Sequence, residues 1–311
     1  MNMKEPLLTI FSAPKPFEDP HISTIQRNAI RSWINLGRDA KVILLGKGEG
    51  IDEISREFKV NYFDNVATNK RGTPLISSML KLSRESSTSP FFAIVNTDIL
   101  LFPDILAITN RVARKFKKFV IAGQRWDIRI THELEDPEFF EKLRKTVLER
   151  GMLHPPMGSD FFIFPRNCYE CIPDFAIGRA GWDNWMIYKA RFERWPVIDA
   201  SAELIIAHQE HDYSHLTGGQ PHYRLPETRE NVRLAGGQHT IFTLFDAQYM
   251  IKNNEIKRKH LSIKRILREI EISPISLFQS NLMAKMFYWL WRPRQGVINL
   301  YRKAKQFFIS G

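Results

Sequence analysis

The stretch Phe91-Phe92-Ala93-Ile94-Val95-Asn96-Thr97-Asp98 constrains the fold of this chain more than any other. Five consecutive apolar residues without polar alternation suit a strand buried on both faces, as in a parallel sheet covered by helices on each side. The strand runs straight into a polar triplet. In an open α/β sheet the ligand crevice lies beyond the carboxyl ends of the strands, so Asp98 stands where a rigid element can offer a carboxylate to a metal or a ligand hydroxyl. Pro90 and Pro103 punctuate the segment on either side. The plainer alternative is that Asp98 caps a helix beginning near Pro103.

Strands and helices alternate around this segment. Residues 7–11 and 41–45 read as strands, and residues 22–36 place Ile22, Ile25, Ala29, Ile30 and Trp33 at helical spacing before Gly37. The loop after the first strand, from Ser12 to Phe17, faces the crevice in such a sheet. Lys15 in it can meet a phosphate or simply sit exposed in a Pro-rich turn. Gly46, Gly48 and Gly50 fit neither a dinucleotide nor a P-loop pattern and read as a turn before a helix over 51–58. A short strand over 60–63 precedes Asn69-Lys70-Arg71-Gly72-Thr73-Pro74, an anion site or a cap for the helix over 75–84. A helix over 103–115 and a strand over 119–123 follow. This order predicts an α/β protein with a doubly wound, mostly parallel sheet.

Later features bear on chemistry. A charged helix is expected over 137–150 and a strand ends the run Gly158 to Phe164. Asp183 lies between Trp182 and Trp185 at a helix start, either as a cap with aromatic packing or as a partly desolvated carboxylate beside a planar ligand, and burial there would raise its pKa in the direction a general base needs. The apolar segment 197–207 delivers His208, His211 and His215. Their spacing matches no common zinc motif, and one of them closing a divalent metal site begun by Asp98 fits better. The turn-rich segment from Gly218-Gly219 to Gly236-Gly237 suggests a flap. The two cysteines, Cys168 and Cys171, have no second pair to complete a zinc site and read as structural thiols in a reducing compartment.

Asn96-Thr97-Asp98 resembles the D-x-D-like triplet of the GT-A glycosyltransferases, and Gly181-Trp182-Asp183-Asn184 resembles the Gly-Trp-plus-acid segment at the head of their late helix. The likeness covers residues 5–245 and implies a Rossmann-related GT-A fold. It also implies Mn²⁺ or Mg²⁺, and a UDP- or GDP-sugar as donor. By that resemblance Ser12, Lys15, Asn96, Thr97 and Asp98 contact the nucleotide diphosphate. Asp98 and His208 hold the metal with His211 behind, and Asp183 is the base for the acceptor hydroxyl. Asn96 replaces the first acid of the triplet. The implied reaction is metal-assisted transfer of a sugar to a glycan or lipid-linked glycan. A nucleotidyltransferase, or a non-catalytic sugar- or protein-binding scaffold, are the rival readings. The loop from Ser12 to Phe17 lacks the glycine-rich basic signature of the former.

Charge separates the chain into two parts. Of 45 basic and 34 acidic residues, 12 and 3 lie in 255–311, so residues 1–254 are nearly balanced. The expected boundary therefore falls at 254, with a basic amphipathic helical tail beyond it carrying Leu261, Ile263, Ile266, Leu267 and Ile270. The apolar run 282–291 is short of the roughly 20 residues a span requires, and suits the headgroup layer of an anionic membrane. Packing on the body or on a partner is the alternative. The clustered aromatics argue against nucleic acid. Residues 1–8 carry Lys4, Glu5 and Pro6 and no apolar leader core, so a cytoplasmic protein, peripheral to the membrane, is expected.

Overall fold

The computed structural model describes residues 5–211 and 225–292. They fall into two compact units. One takes in the chain up to Lys259 apart from Arg191–Arg194, and the other holds those four residues and the chain from His260.

The first unit opens with β1 (Leu8–Ser12), α1 (Pro20–Ile34), β2 (Ala40–Leu45), α2 (Ile51–Phe58), β3 (Asn61–Phe63), α3 (Ile76–Ser86) and β4 (Phe91–Val95). It continues through β5 (Ile99–Leu101), α4 (Asp104–Lys115), β6 (Val120–Ala122), β7 (Trp126–Ile128), α5 (Pro137–Arg150), β8 (Met152–Leu153) and β9 (Phe161–Pro165). It closes with α6 (Trp182–Phe192), β10 (Val197–Asp199), β11 (Ile206–Gln209), α7 (Pro226–Leu234), β12 (Tyr249–Lys252) and β13 (Glu255–Arg258).

Nine strands form the main sheet in the order β13-β12-β10-β6-β9-β4-β1-β2-β3. All pair in parallel except β9, which runs against β4 and β6, and β13, which runs against β12. The apolar run 91–95 lies between β1 and β9 with Phe92 to Val95 buried, as a central strand requires. The antiparallel course of β9 is not legible in Phe161-Phe162-Ile163-Phe164, because a wholly apolar run looks the same in either direction. It has a consequence for the site: β9 begins, rather than ends, at the crevice edge.

A second sheet, β5-β11-β7-β8, sits beside the first. The chain leaves β4, passes Asn96-Thr97-Asp98 and immediately enters β5, which pairs antiparallel with β11. Asp98 is therefore not a helix cap, since α4 starts only at Asp104 behind Pro103. The apolar segment 197–207 also resolves into two strands, β10 in the main sheet and β11 in the small one. Helix α1 joins the layers. Asp19 caps it through the Ile22 amide (2.9 Å), Ile22, Ile25, Ala29, Ile30 and Trp33 are buried, and Trp33 Nε1 donates to the Ile99 carbonyl (2.9 Å).

The first compact unit runs to Lys259, five residues past the expected boundary at 254. Glu255–Arg258 form an edge strand hydrogen-bonded to β12, so ladder pairing keeps this basic stretch in the first unit. The second unit holds α8 (Ile263–Ser276) and α9 (Asn281–Trp291). Among the described residues no helix is long and apolar enough to cross a membrane. His215 and the expected flap up to residue 224 lie outside the described residues, and the rest of that flap contains α7.

Trp33 is wholly buried and ties α1 to β5, so Trp33→Ala is expected to lower the unfolding free energy by about 3–5 kcal/mol in a urea titration.

Candidate metal and nucleotide site

The carboxyl ends of β1 and β4, the start of β9, the head of α6 and the small-sheet strands β7 and β11 supply the candidate side chains. Asp98, His208 and His211 converge, with one ligand atom from each within 4.8 Å of the others. His211 Nε2 lies 3.2 Å from Asp98 Oδ2 and His208 Nε2 lies 3.7 Å from the same oxygen. The other oxygen, Oδ1, is buried and has no hydrogen-bond partner among the described residues. A buried carboxylate oxygen left without a donor is costly, and a cation would satisfy it. Two imidazoles and a carboxylate are a donor set that suits a divalent metal, so these residues fit the ion that the resemblance implies.

Burial opposes the charge on Asp98, but the facing His208, the His211 hydrogen bond and Lys15 overcome it and hold the carboxyl well below the usual range. His208 is likewise opposed by burial, and the Asp98 charge with the Asp127 hydrogen bond raises it above the ordinary imidazole value. Lys15 is lowered by burial and by Arg179, against the pull of Asp98. The loop that carries Lys15 is pinned: Gln26 accepts from the Lys15 amide (2.6 Å) and donates to its carbonyl (2.9 Å).

A ring of alternating charge supports this cluster. Asn96 Nδ2 donates to Asp160 Oδ1 (2.8 Å), and Arg125 Nη1 donates to Asp160 Oδ2 (2.6 Å). Arg125 Nε donates to Asp127 Oδ1 (2.9 Å), which also accepts from His208 Nδ1 (2.9 Å). With Nδ1–H committed to Asp127, Nε2 is the ring nitrogen left to face Asp98 and a metal. His154 Nδ1 donates to the second oxygen of Asp127 (2.8 Å). The antiparallel β9 is what brings Asp160 here, since Asn96 N also donates to the Asp160 carbonyl (2.9 Å).

Asp183 heads α6. Gly181, at φ +108°, turns its N–H toward Asp183 Oδ1 (3.1 Å), and a Cβ at that position would press within 3.3 Å of Val232. Of the flanking rings, Trp182 packs edge-on to Phe162 and Trp185 edge-on to Phe175. Burial pushes Asp183 up to about 6, with backbone N–H donors working against it and the Asp160 charge adding to it. Asp183 and the metal-fitting cluster thus share Asp160 as an electrostatic neighbour.

Several of the expected contact residues have partners within the fold. Ser12 is buried, and its hydroxyl donates to the Val95 carbonyl, tying β1 to β4. Asn96 Nδ2 is committed to Asp160 and so supports the cluster; Thr97 is buried beside it. In the 69–74 loop Asn69 and Thr73 both donate to the buried carboxylate of Glu227, which Arg179 Nε joins (2.7 Å). The sequence reading passed over Arg125, Asp127 and Asp160. A signal for them was the placing of acids just outside short apolar runs. A cleft of about 470 Å³ at the opposite end of the strands is lined by Arg84, Phe91, Lys117 and Arg166. Its arginines are spent on the backbone carbonyls of Cys168 and Ser87.

The Asp183 value lies above the ordinary 3.8, so the protonated form favours the folded state. That stability is fully present below about pH 4 and is lost as pH rises through about 6. The difference in unfolding free energy between wild type and Asp183→Asn is expected to fall by on the order of 1–3 kcal/mol over this window and then level off, as measured by denaturant titration at stepped pH.

No family model matches the chain, and no curated protein matches it. Among solved structures it is similar to the mannosyltransferase PcManGT from Pyrobaculum calidifontis in complex with GDP-Man and Mn²⁺, at 13% identity over 66% of this chain and 57% of that one, with TM-score 0.42. It is similar to S. aureus TarS 1-349 in complex with UDP-GlcNAc, at 13% identity over 73% and 65%, with TM-score 0.45. It is also similar to M. tuberculosis glucosyl-3-phosphoglycerate synthase, at 15% identity over 83% and 89%, with TM-score 0.47. The chain spans less than two thirds of the length of the first two.

Proposed function

We propose that the first unit is a nucleotide-sugar-dependent glycosyltransferase that moves a sugar from a UDP or GDP donor to a hydroxyl of a glycan or lipid-linked glycan. The observation that carries this reading is the buried Asp98 carboxylate, its Oδ2 facing His208 and His211 and its Oδ1 without a hydrogen-bond partner among the described residues, with Lys15 as the nearby cation and Asp183, raised to about 6, sharing Asp160 as a neighbour. In this reading Asp98, His208 and His211 hold Mn²⁺ or Mg²⁺, which supplies neutralising charge for the diphosphate when bound. Lys15 adds a second positive charge from the β1 loop.

The acceptor oxygen attacks the anomeric carbon while the bond from that carbon to the phosphate oxygen breaks. The nucleoside diphosphate leaves with the electron pair, and the acceptor proton passes to Asp183. A base with a value near 6 is ionised at neutral pH yet still basic enough to take a proton, and such a group contributes on the order of 10²–10⁴-fold. Displacement of this kind inverts the anomeric centre.

Thermal shift against UDP, GDP, CDP and dTDP sugars with Mn²⁺ identifies the donor, and hydrolysis of that donor reads the chemistry. Asp98→Ala is expected to abolish the metal-dependent shift while leaving the unliganded melting curve cooperative. Asp183→Ala is expected to keep the shift and lower kcat for transfer or hydrolysis by about 10²–10⁴-fold. A wild-type chain that shifts with no nucleotide sugar, or an Asp98→Ala variant that retains the metal-dependent shift, contradicts the assignment.

A further inference from the structure

Helix α8 carries a second apolar stripe besides the side it buries. Ile263, Ile266, Leu267 and Ile270 recur at i, i+3, i+4 and i+7, the spacing of a single face, and all four are exposed, Ile263 by 79%. The opposite side of the same helix is the packed one: Ile272 and Ile275 are buried there with Arg265, and the buried Glu271 pairs with Arg268 (2.9 Å) and with Arg292 at the end of α9 (3.0 Å).

The second helix repeats the pattern. Ala284 and Tyr288 are buried, whereas Leu282, Met286 and Leu290 lie exposed along one side, with Leu277 and Phe278 exposed in the connection between the helices. Among the described residues, 12 of the 16 exposed large apolar side chains fall between Leu261 and Trp291. A concentration of that kind marks an interaction surface, because scattered single exposures are the ordinary condition of a soluble surface.

Charge decides the kind of partner. Lys264 and Lys285 are exposed beside the two apolar stripes, and both acids of the two helices are on α8 and held by arginines, Glu269 by Arg191 (2.7 Å) and Glu271 by Arg268 (2.9 Å) and Arg292 (3.0 Å). The chain beyond Arg292 adds four more basic residues and no acid. An apolar stripe edged by lysines, on helices too short to span a bilayer, is complementary to the headgroup layer of a membrane carrying negative lipids.

We propose that the exposed faces of α8 and α9 form a docking surface for an anionic lipid bilayer, on which the helices lie in the plane of the interface. This inference stands independently of the transferase reading.

Flotation of the full chain with phosphatidylcholine vesicles, with and without phosphatidylserine, is the test. Wild type is expected to float with the anionic vesicles and to be released by high salt. The Ile266→Glu/Leu290→Glu double variant is expected to lose at least about tenfold in bound fraction, and Lys264→Ala and Lys285→Ala about fivefold each. Unchanged circular dichroism and melting temperature would show that these exposed substitutions leave the fold intact. Failure of wild type to float, or flotation unaffected by the double variant, overturns the proposal. A wild-type dimer in light scattering that the double variant converts to monomer, without flotation, assigns the face to a second copy and overturns it as well.

Discussion

The buried negative charge of Asp98 is the constraint on which the rest of this structure depends. A carboxylate withdrawn from water must be matched by positive charge and hydrogen-bond donors, or it protonates. Here it is matched by two imidazoles and a lysine drawn from β11, the segment just after it, and the β1 loop. One oxygen is nevertheless left without a donor among the described residues. Residual need of this kind, at the mouth of the strands rather than deep in the core, is what separates a ligand site from a structural ion pair.

The surrounding architecture serves that one residue. The short strand β5 holds the chain straight after Asp98, and its antiparallel pairing with β11 sets His208 opposite Ile99, one residue from the carboxylate. The parallel pairing of β11 with β7 puts His208 level with Asp127, so the hydrogen bond that orients the imidazole comes from the strand register itself. Arg125 and Asp160 then carry the alternation of charge back to Asn96, two residues before the starting point. A closed circuit of this sort resists rearrangement, because moving any member leaves a buried charge unpaired.

Much of the main sheet could be read from the sequence, and the reasons are physical. The 91–95 run, the 22–34 helix and the 51–58 helix have patterns long enough for their period to be unambiguous. Asp98 was visible because it ends such a run, and His208 because it ends another. The small sheet was not visible. Its strands are two to four residues long, and their pairings link parts of the chain about 25 to 110 residues apart, which no local pattern records. For the same reason the break inside the apolar segment 197–207 was not visible, nor was the pairing of Asn96 with Asp160, which depends on the direction of β9. In the second unit the amphipathic pattern of 263–270 was plain, but its outward orientation was not, since periodicity gives the width of an apolar stripe and not the side it faces.

The central claim is that Asp98, His208 and His211 together hold a divalent cation. Electron paramagnetic resonance of free Mn²⁺ titrated with the full chain tests it without any assumption about the sugar or acceptor. The account predicts that the free-ion signal is lost to one site per chain, that UDP or GDP tightens that site, and that His211→Ala weakens binding by about 10-fold or more. A free Mn²⁺ signal left unchanged by wild type with nucleotide present, or binding indifferent to Asp98→Ala, would contradict it.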